Sequence, residues 1–157
     1  MRSFPSVTVL GLVSDTHGLL RDSAKAALRG VELIIHAGDI GPRSILETLE
    51  SIAPVVAVCG NVDCEAPDLP PTEIVLVNDR LVYILHDLAS LDLVPEKAGI
   101  SMVVSGHSHK ARIDRKGGVL YINPGSIGPR RFRLPITYAT VTFGGVEPVA
   151  KVIELAS

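Results

Sequence analysis

A chain of 157 residues with 46% hydrophobic and 20% charged content is long enough to bury one core without disulfides or a structural metal. A net charge of −2 excludes a global field that would gather DNA or an anionic membrane, and 4% aromatic residues with no tryptophan leave little on which bases or sugars could stack. Two cysteines, Cys59 and Cys64, make no disulfide framework and fit a reduced, cytoplasmic protein.

The first apolar run, in "VTVLGLVSDTHG", stops at Asp15 without a small-residue cleavage site. It reads as a buried strand over 7–14 rather than a signal peptide. No apolar run approaches the ~20 residues that a membrane-spanning helix requires, so no membrane partner is expected. A helix follows over 22–29 with Gly30 as its stop, then a strand over 32–36. The next helix, over 42–51, has Pro42 in its first turn and Ile45, Leu46 and Leu49 at helical spacing. A third strand over 54–59 completes a β-α-β-α-β pattern of parallel strands with crossover helices. Strands over 73–77 and 81–86 flank "NDR" as a hairpin, and a helix over 88–98 leads to a strand over 100–105. Strands over 111–115 and 119–123 flank "KGG", and a terminal hairpin pairs 137–143 with 146–154 across "GG". The sum is one α/β domain over 1–157, with about ten strands in two packed mixed β-sheets flanked by helices.

The informative residues stand where strands stop. "SDTHG" places Asp15 and His17, "HAGDI" places Asp39, and "CGNVD" places Asn61. "LHD" places His86, and "SGHSH" places His107 and His109. In an open α/β sheet, ligands bind beyond the carboxyl ends of the strands. Any one of these residues is ordinary alone, as a cap, a turn residue or a hydrogen-bonded histidine. Their joint arrival on successive strand ends, beside Gly18, Gly38, Gly60 and Gly106, points to a metal site.

In this order, "DTH", "GD", "GN", a strand-end His and "GHSH" resemble the signature of the calcineurin-like metallophosphoesterases. With "NPGS" at 123–126 and no cap domain, the chain is similar to the small single-domain phosphodiesterase branch, which also includes the retromer scaffold subunit. The likeness spans 15–126. It implies the four-layer metallophosphoesterase-like sandwich and a two-metal site. Asp15, His17, Asp39 and His109 would hold the first ion. Asp39, Asn61, His86 and His107 would hold the second, with Asp39 bridging and Asp39, Asn61 and His107 counted as catalytic. The cofactors implied are two divalent transition-metal ions (manganese, nickel, iron, cobalt or zinc). A hydroxide between them would attack a small phosphoester in line, most naturally a phosphodiester. Two other readings stay open: a non-catalytic protein-binding scaffold of the same fold, and a phosphomonoesterase or nucleotidase. The complete set of seven ligands favours the enzyme, and the missing cap leaves little with which to recognise a nucleoside.

Several positions depart from the pattern or stand beside it. Val62 follows the Asn of "GN" where many members carry His, which implies a strong dependence on leaving-group pKa. Asp87 follows His86 where Gly is common, and reads as a turn residue ahead of a partner for an imidazole. His36 reads as a buried, hydrogen-bonded histidine rather than a ligand, and Cys59 and Cys64 as core and loop thiols. "PRRFR" (129–133) is the one dense basic cluster. A solvated face or a subunit contact in a homo-oligomer is preferred for it over a grip on substrate phosphate.

Overall fold

Three strands of the computed structural model, which describes residues 1–61, 63 and 68–156, form a parallel core: β2 (Val9–Val13), β3 (Leu33–His36) and β4 (Val55–Ala57). The short β1 (Arg2–Phe4) precedes them. The crossovers are α1 (Asp22–Ala27) and α2 (Ser44–Glu50), as the β-α-β-α-β pattern requires. Then come β5 (Thr72–Val77), β6 (Arg80–Leu85), β7 (Ile100–Val104), β8 (Arg112–Lys116), β9 (Val119–Asn123), β10 (Ile136–Thr142) and β11 (Val149–Leu155). One sheet has the order β11-β10-β2-β3-β4 and the other β1-β5-β6-β7-β9-β8, and both mix parallel with antiparallel neighbours.

Period-two patterning decides which face each side chain takes. Leu10, Leu12, Leu33 and Ile35 of one sheet meet Val82, Ile84, Met102 and Val104 of the other in the central core. The alternate residue Ile34 turns outward, where Ala24, Leu28, Ile45, Leu46 and Leu49 of the helical layer cover it. Each fully buried Leu or Ile contributes about 1.5–3 kcal/mol relative to exposure, so a one-residue slip of β3 would forfeit several such terms together. On the outer face of the second sheet, Tyr83, Leu85 and Val103 pack against Leu91 and Leu93.

The segment over Leu91 and Leu93 is the main correction to the expected elements. The helix expected over 88–98 is a 3-10 turn, Leu88–Ser90, followed by extended chain and turns. Leu91 and Leu93 must both reach the sheet, and their spacing of two suits extended chain rather than a helix. Pro95 also denies an interior helical hydrogen bond. The terminal hairpin has a longer loop than expected, since β11 starts at Val149, after Pro148, and leaves Val146 92% exposed. β1 carries too short and polar a signal to read, and forms only by adding to the edge of β5, with Arg2 opposite Val75. Cys59 is disulfide-bonded, not the free thiol expected, and Cys64 lies outside the described residues. Among the described residues no helix is long and apolar enough to cross a membrane.

Candidate metal centre

Because β2, β3 and β4 run parallel, their carboxyl ends open on one rim, and the parallel pair β6 and β7 brings a second set of ends to the same place. Backbone hydrogen bonds lace these loops together. Asp15 N donates to Gly38 O at 3.0 Å, His17 N to Asp39 O at 2.9 Å and Gly18 N to Ile40 O at 2.9 Å. Within the second sheet, Gly106 N donates to His86 O at 2.9 Å, and across the sheets His86 Nδ1 lies 2.7 Å from Ala37 O. A carbonyl only accepts, so the Nδ1 of His86 carries its proton and Nε2 turns a lone pair into the rim.

Asp15 is oriented in the same way. Its Oδ2 accepts from Ser14 Oγ at 2.6 Å and from His107 N at 3.2 Å, while Oδ1 faces inward. Around it, His17 Nε2 lies 3.7 Å from Asp15 Oδ1 and 3.5 Å from Asp39 Oδ2. His86 Nε2 lies 3.2 Å from Asp39 Oδ2 and 3.9 Å from Asp15 Oδ1, and His109 Nε2 lies 3.4 Å from Asp15 Oδ1. The His17 and His109 rings stack with centroids 5.4 Å apart.

Among the described residues, two groups of three can each converge on one ion, with ligand atoms within 4.8 Å of one another: Asp15, His17 and His109, and Asp15, Asp39 and His86. Asp15 is common to both, and Asp39 also stands between His17 and His86. Asn61 and His107 lie beside these groups. Asn61 lines a cavity with His86, and the His107 ring is 5.2 Å from that of His86, with Nε2 3.9 Å from Asp87 Oδ2.

Among the described residues, four buried side-chain polar atoms lack a hydrogen bond: Asp15 Oδ1, His17 Nε2, His86 Nε2 and His109 Nδ1. Buried polar atoms are normally satisfied, and orphans of this kind ask for an explanation. Two carboxylates and several imidazoles that leave lone pairs facing one another are a donor set that fits divalent transition metals. Burial, opposed by Asp15 and reinforced by the Arg131 charge, holds the His109 imidazole below its usual range. A neutral imidazole is the form that ligates.

The backbone is bent to achieve this convergence. Among the described residues, seven non-glycines have positive φ, and Asp15, His17, Asp39, His107 and His109 are five of them. Such conformations cluster at functional sites. Two glycines permit the close approach. A Cβ on Gly60 would overlap the Asp39 carboxylate, and one on Gly106 would overlap Ser14 Oγ.

Several residues matter more than the sequence indicated. Asp63, 6% exposed, accepts from Ile40 N at 3.0 and 2.8 Å, from Gly41 N at 3.1 Å and from Gly60 N at 3.1 Å. It thereby ties the loop of Asp39 to the loop of Asn61. His36 is fully buried; its Nδ1 accepts from Gly38 N at 3.1 Å, which leaves Nε2–H to meet Thr16 Oγ1 at 3.0 Å. Burial pushes its pKa down to about 3. The aspartate of "GNVD" and the histidine three before Asp39 are visible in the sequence, but nothing there reveals loop-to-loop bonds. "NPGS" also finds its use: Asn123 Nδ2 donates to Gly106 O at 2.9 Å, and Ser126 Oγ to Asp15 O at 3.1 Å. Asp87 caps the 3-10 turn through Ala89 N at 3.0 Å, which is the turn role expected of it. Val62 lies outside the described residues.

The chain matches the model of the calcineurin-like phosphoesterase superfamily domain over residues 9–145. It is 38% identical over 133 residues to a probable metallophosphoesterase of Methanocaldococcus jannaschii, covering 75% of this chain and 67% of that protein. It is 27% identical over 155 residues to the phosphodiesterase YfcE of Escherichia coli, covering 82% of this chain and 84% of that one. The fold is shared with Vacuolar Protein Sorting 29 from Cryptosporidium parvum at a TM-score of 0.82 and 21% identity, over 96% of this chain and 92% of the other.

Proposed function

Because the chain belongs to the calcineurin-like phosphoesterase superfamily, we propose that it is a metal-dependent phosphoester hydrolase, and more narrowly a phosphodiesterase with two divalent transition-metal ions. The single observation that carries this reading is the convergence of three buried, unbonded atoms, Asp15 Oδ1, His17 Nε2 and His86 Nε2, at the strand ends. In the assignment we propose, Asp15, His17, Asp39 and His109 hold one ion, and Asp39, Asn61, His86 and His107 the other. When bound, such a pair lowers the pKa of a water and clamps the attacking and leaving oxygens in line.

The protein's own part is orientation and charge. Ser14 and the His107 amide fix Asp15, and Ala37 O fixes the tautomer of His86. Two divalent ions carry four positive charges, and Asp15 and Asp39 cancel two. The remainder suits an anionic phosphoester and its water-derived nucleophile. Valine after the Asn of "GN" supplies no proton to the departing oxygen, so good leaving groups are favoured.

The rival reading, a protein-binding scaffold on the same fold, rests on fold likeness alone, and fold does not carry function. The discriminating experiment is hydrolysis of aryl phosphodiesters and monoesters by the protein stripped of metal and reloaded with manganese or nickel. Metal-dependent turnover with two ions per chain is expected. Equal activity in demonstrably metal-free protein would overturn the assignment, and no turnover of any ester with both ions bound would favour the scaffold.

A further inference from the structure

Two cavities flank the second ligand group, and one short element divides them. The first, about 400 Å³, has His107 at its edge and is walled by Leu88, Ala111 and Tyr121. The second, about 340 Å³, has Asn61 and His86 at its edge and is walled by Thr72, Ser90 and Asp92. Asp87 lines both. The divider is the strand end at His86 and Asp87 with the 3-10 turn Leu88–Ser90, which gives an apolar residue to one cavity and a hydroxyl to the other. Both volumes fall in the range of small-molecule sites.

We propose that these cavities receive the two ester arms of one substrate: an unsymmetrical phosphodiester with an apolar arm beside Leu88 and Tyr121 and a short, uncharged hydroxylated arm beside Thr72 and Ser90. The inference rests on the phosphoesterase reading of the centre and narrows its substrate. A monoester has one arm and would leave one cavity to water. In the first cavity, Arg112 and Asp114 pair with each other and Lys110 opposes the charge of Asp87, so the lining carries no net charge, and Leu88, 42% exposed, offers apolar surface to a guest. In the second, the carboxylates of Asp87 and Asp92 repel an anionic arm and accept hydrogen bonds from hydroxyls. The reaction consumes one water: a P–O bond forms from water, the P–O bond to one arm breaks, and that arm leaves as an alcohol with a proton. The other arm stays on the product phosphomonoester.

The test uses the metal-loaded protein and two surface variants, Leu88→Asp and Ser90→Leu, each checked for metal content and thermal unfolding. Calorimetry with the non-hydrolysable anions methyl(phenyl)phosphinate and dimethylphosphinate reads the first cavity. The phenyl compound should bind the wild type on the order of tenfold tighter. Leu88→Asp should erase that difference, and Ser90→Leu should keep it. For the second cavity, the 2-hydroxyethyl and ethyl esters of p-nitrophenyl phosphate are compared by KM. The wild type should favour the hydroxylated ester, Ser90→Leu should reverse the order, and Leu88→Asp should not. Loss of both preferences in both variants, or in neither, overturns the inference. If neither ester is turned over but the calorimetric pattern holds, the apolar cavity stands, and the hydrolase reading falls together with the two-armed substrate. Turnover that ignores both substitutions overturns the cavity assignment alone.

Discussion

Asp63→Ala should damage the protein more than its distance in sequence from most of the ligands implies. The carboxylate receives three backbone N–H groups, and two of the donors, Ile40 and Gly60, are buried. Alanine leaves those two without an acceptor, at about 1–3 kcal/mol each, while Gly41, being exposed, can turn to water. The expected loss is therefore about 2–6 kcal/mol, a large share of the 5–15 kcal/mol typical of a domain. The same bonds hold the Asp39 loop against the Asn61 loop, so affinity for the second ion should fall along with stability. Asp63→Asn separates the two effects. Its one carbonyl oxygen can serve Ile40 and Gly41, but its amide then confronts the Gly60 N–H, donor against donor. An intermediate loss is expected. The assay is urea unfolding in chelator, paired with calorimetric titration of manganese. An Asp63→Ala protein within about 0.5 kcal/mol of wild type, binding two ions with unchanged affinity, would refute the reasoning.

Asp39→Asn removes a negative charge from between His17 and His86 and should cost the protein occupancy at both positions, read by elemental analysis after dialysis; full occupancy would remove Asp39 from the bridging role. Gly106→Ala should displace Ser14 Oγ and with it Asp15, lowering both the melting temperature and metal content, whereas an unchanged melt would mean that the loop relaxes freely. His36 gives a pH signature. Its folded pKa of about 3 lies below the ordinary 6.5, so between those values the unfolded chain binds a proton that the native state does not, and stability falls as pH falls through that window. The group's share is roughly 5 kcal/mol over the whole span, and in chelator His36→Gln should unfold with a shallower pH slope than wild type; identical slopes would contradict this.

What could be read from the sequence was whatever depends on local pattern. Val9–Val13, Leu33–His36 and Val55–Ala57 are apolar, short and separated by helical segments, and a parallel trio follows from those facts alone. The positions of Asp15, Asp39 and His86 at strand ends were legible for the same reason. The failures have another origin. Leu91 and Leu93 fit a helix by composition, but the outer face of Tyr83 and Leu85 recruits them as extended chain, a tertiary override of local propensity. Asp63 could be suspected beside the ligands but given no role, because the loops it joins come together only once β3 and β4 pair, and Ser14, bonded to the adjacent Asp15, looks like any serine at a strand end. No periodicity reports a hydrogen bond from residue 40 to residue 63.

The left-handed residues connect these two kinds of information. Aspartate and histidine are among the few non-glycine types that enter that region of backbone space with any frequency. Asp15, His17, Asp39, His107 and His109 are thus suited to the loops by conformation and to the ions by chemistry, and the same letters answer both demands. The conformation still costs about 1–2 kcal/mol per residue, and the inward lone pairs of Asp15 and His86 add desolvation without a partner. A loop free to relax would shed both penalties. It is not free, because Asp63, Asn123 and, through Thr16, His36 each bond across to a neighbouring loop, and none of the three sits in the two groups that can converge on an ion. The strained geometry is therefore braced from behind, by residues that only hold the loops. An ion that then binds the converging lone pairs need not order the loops first, so more of its binding free energy is retained as affinity.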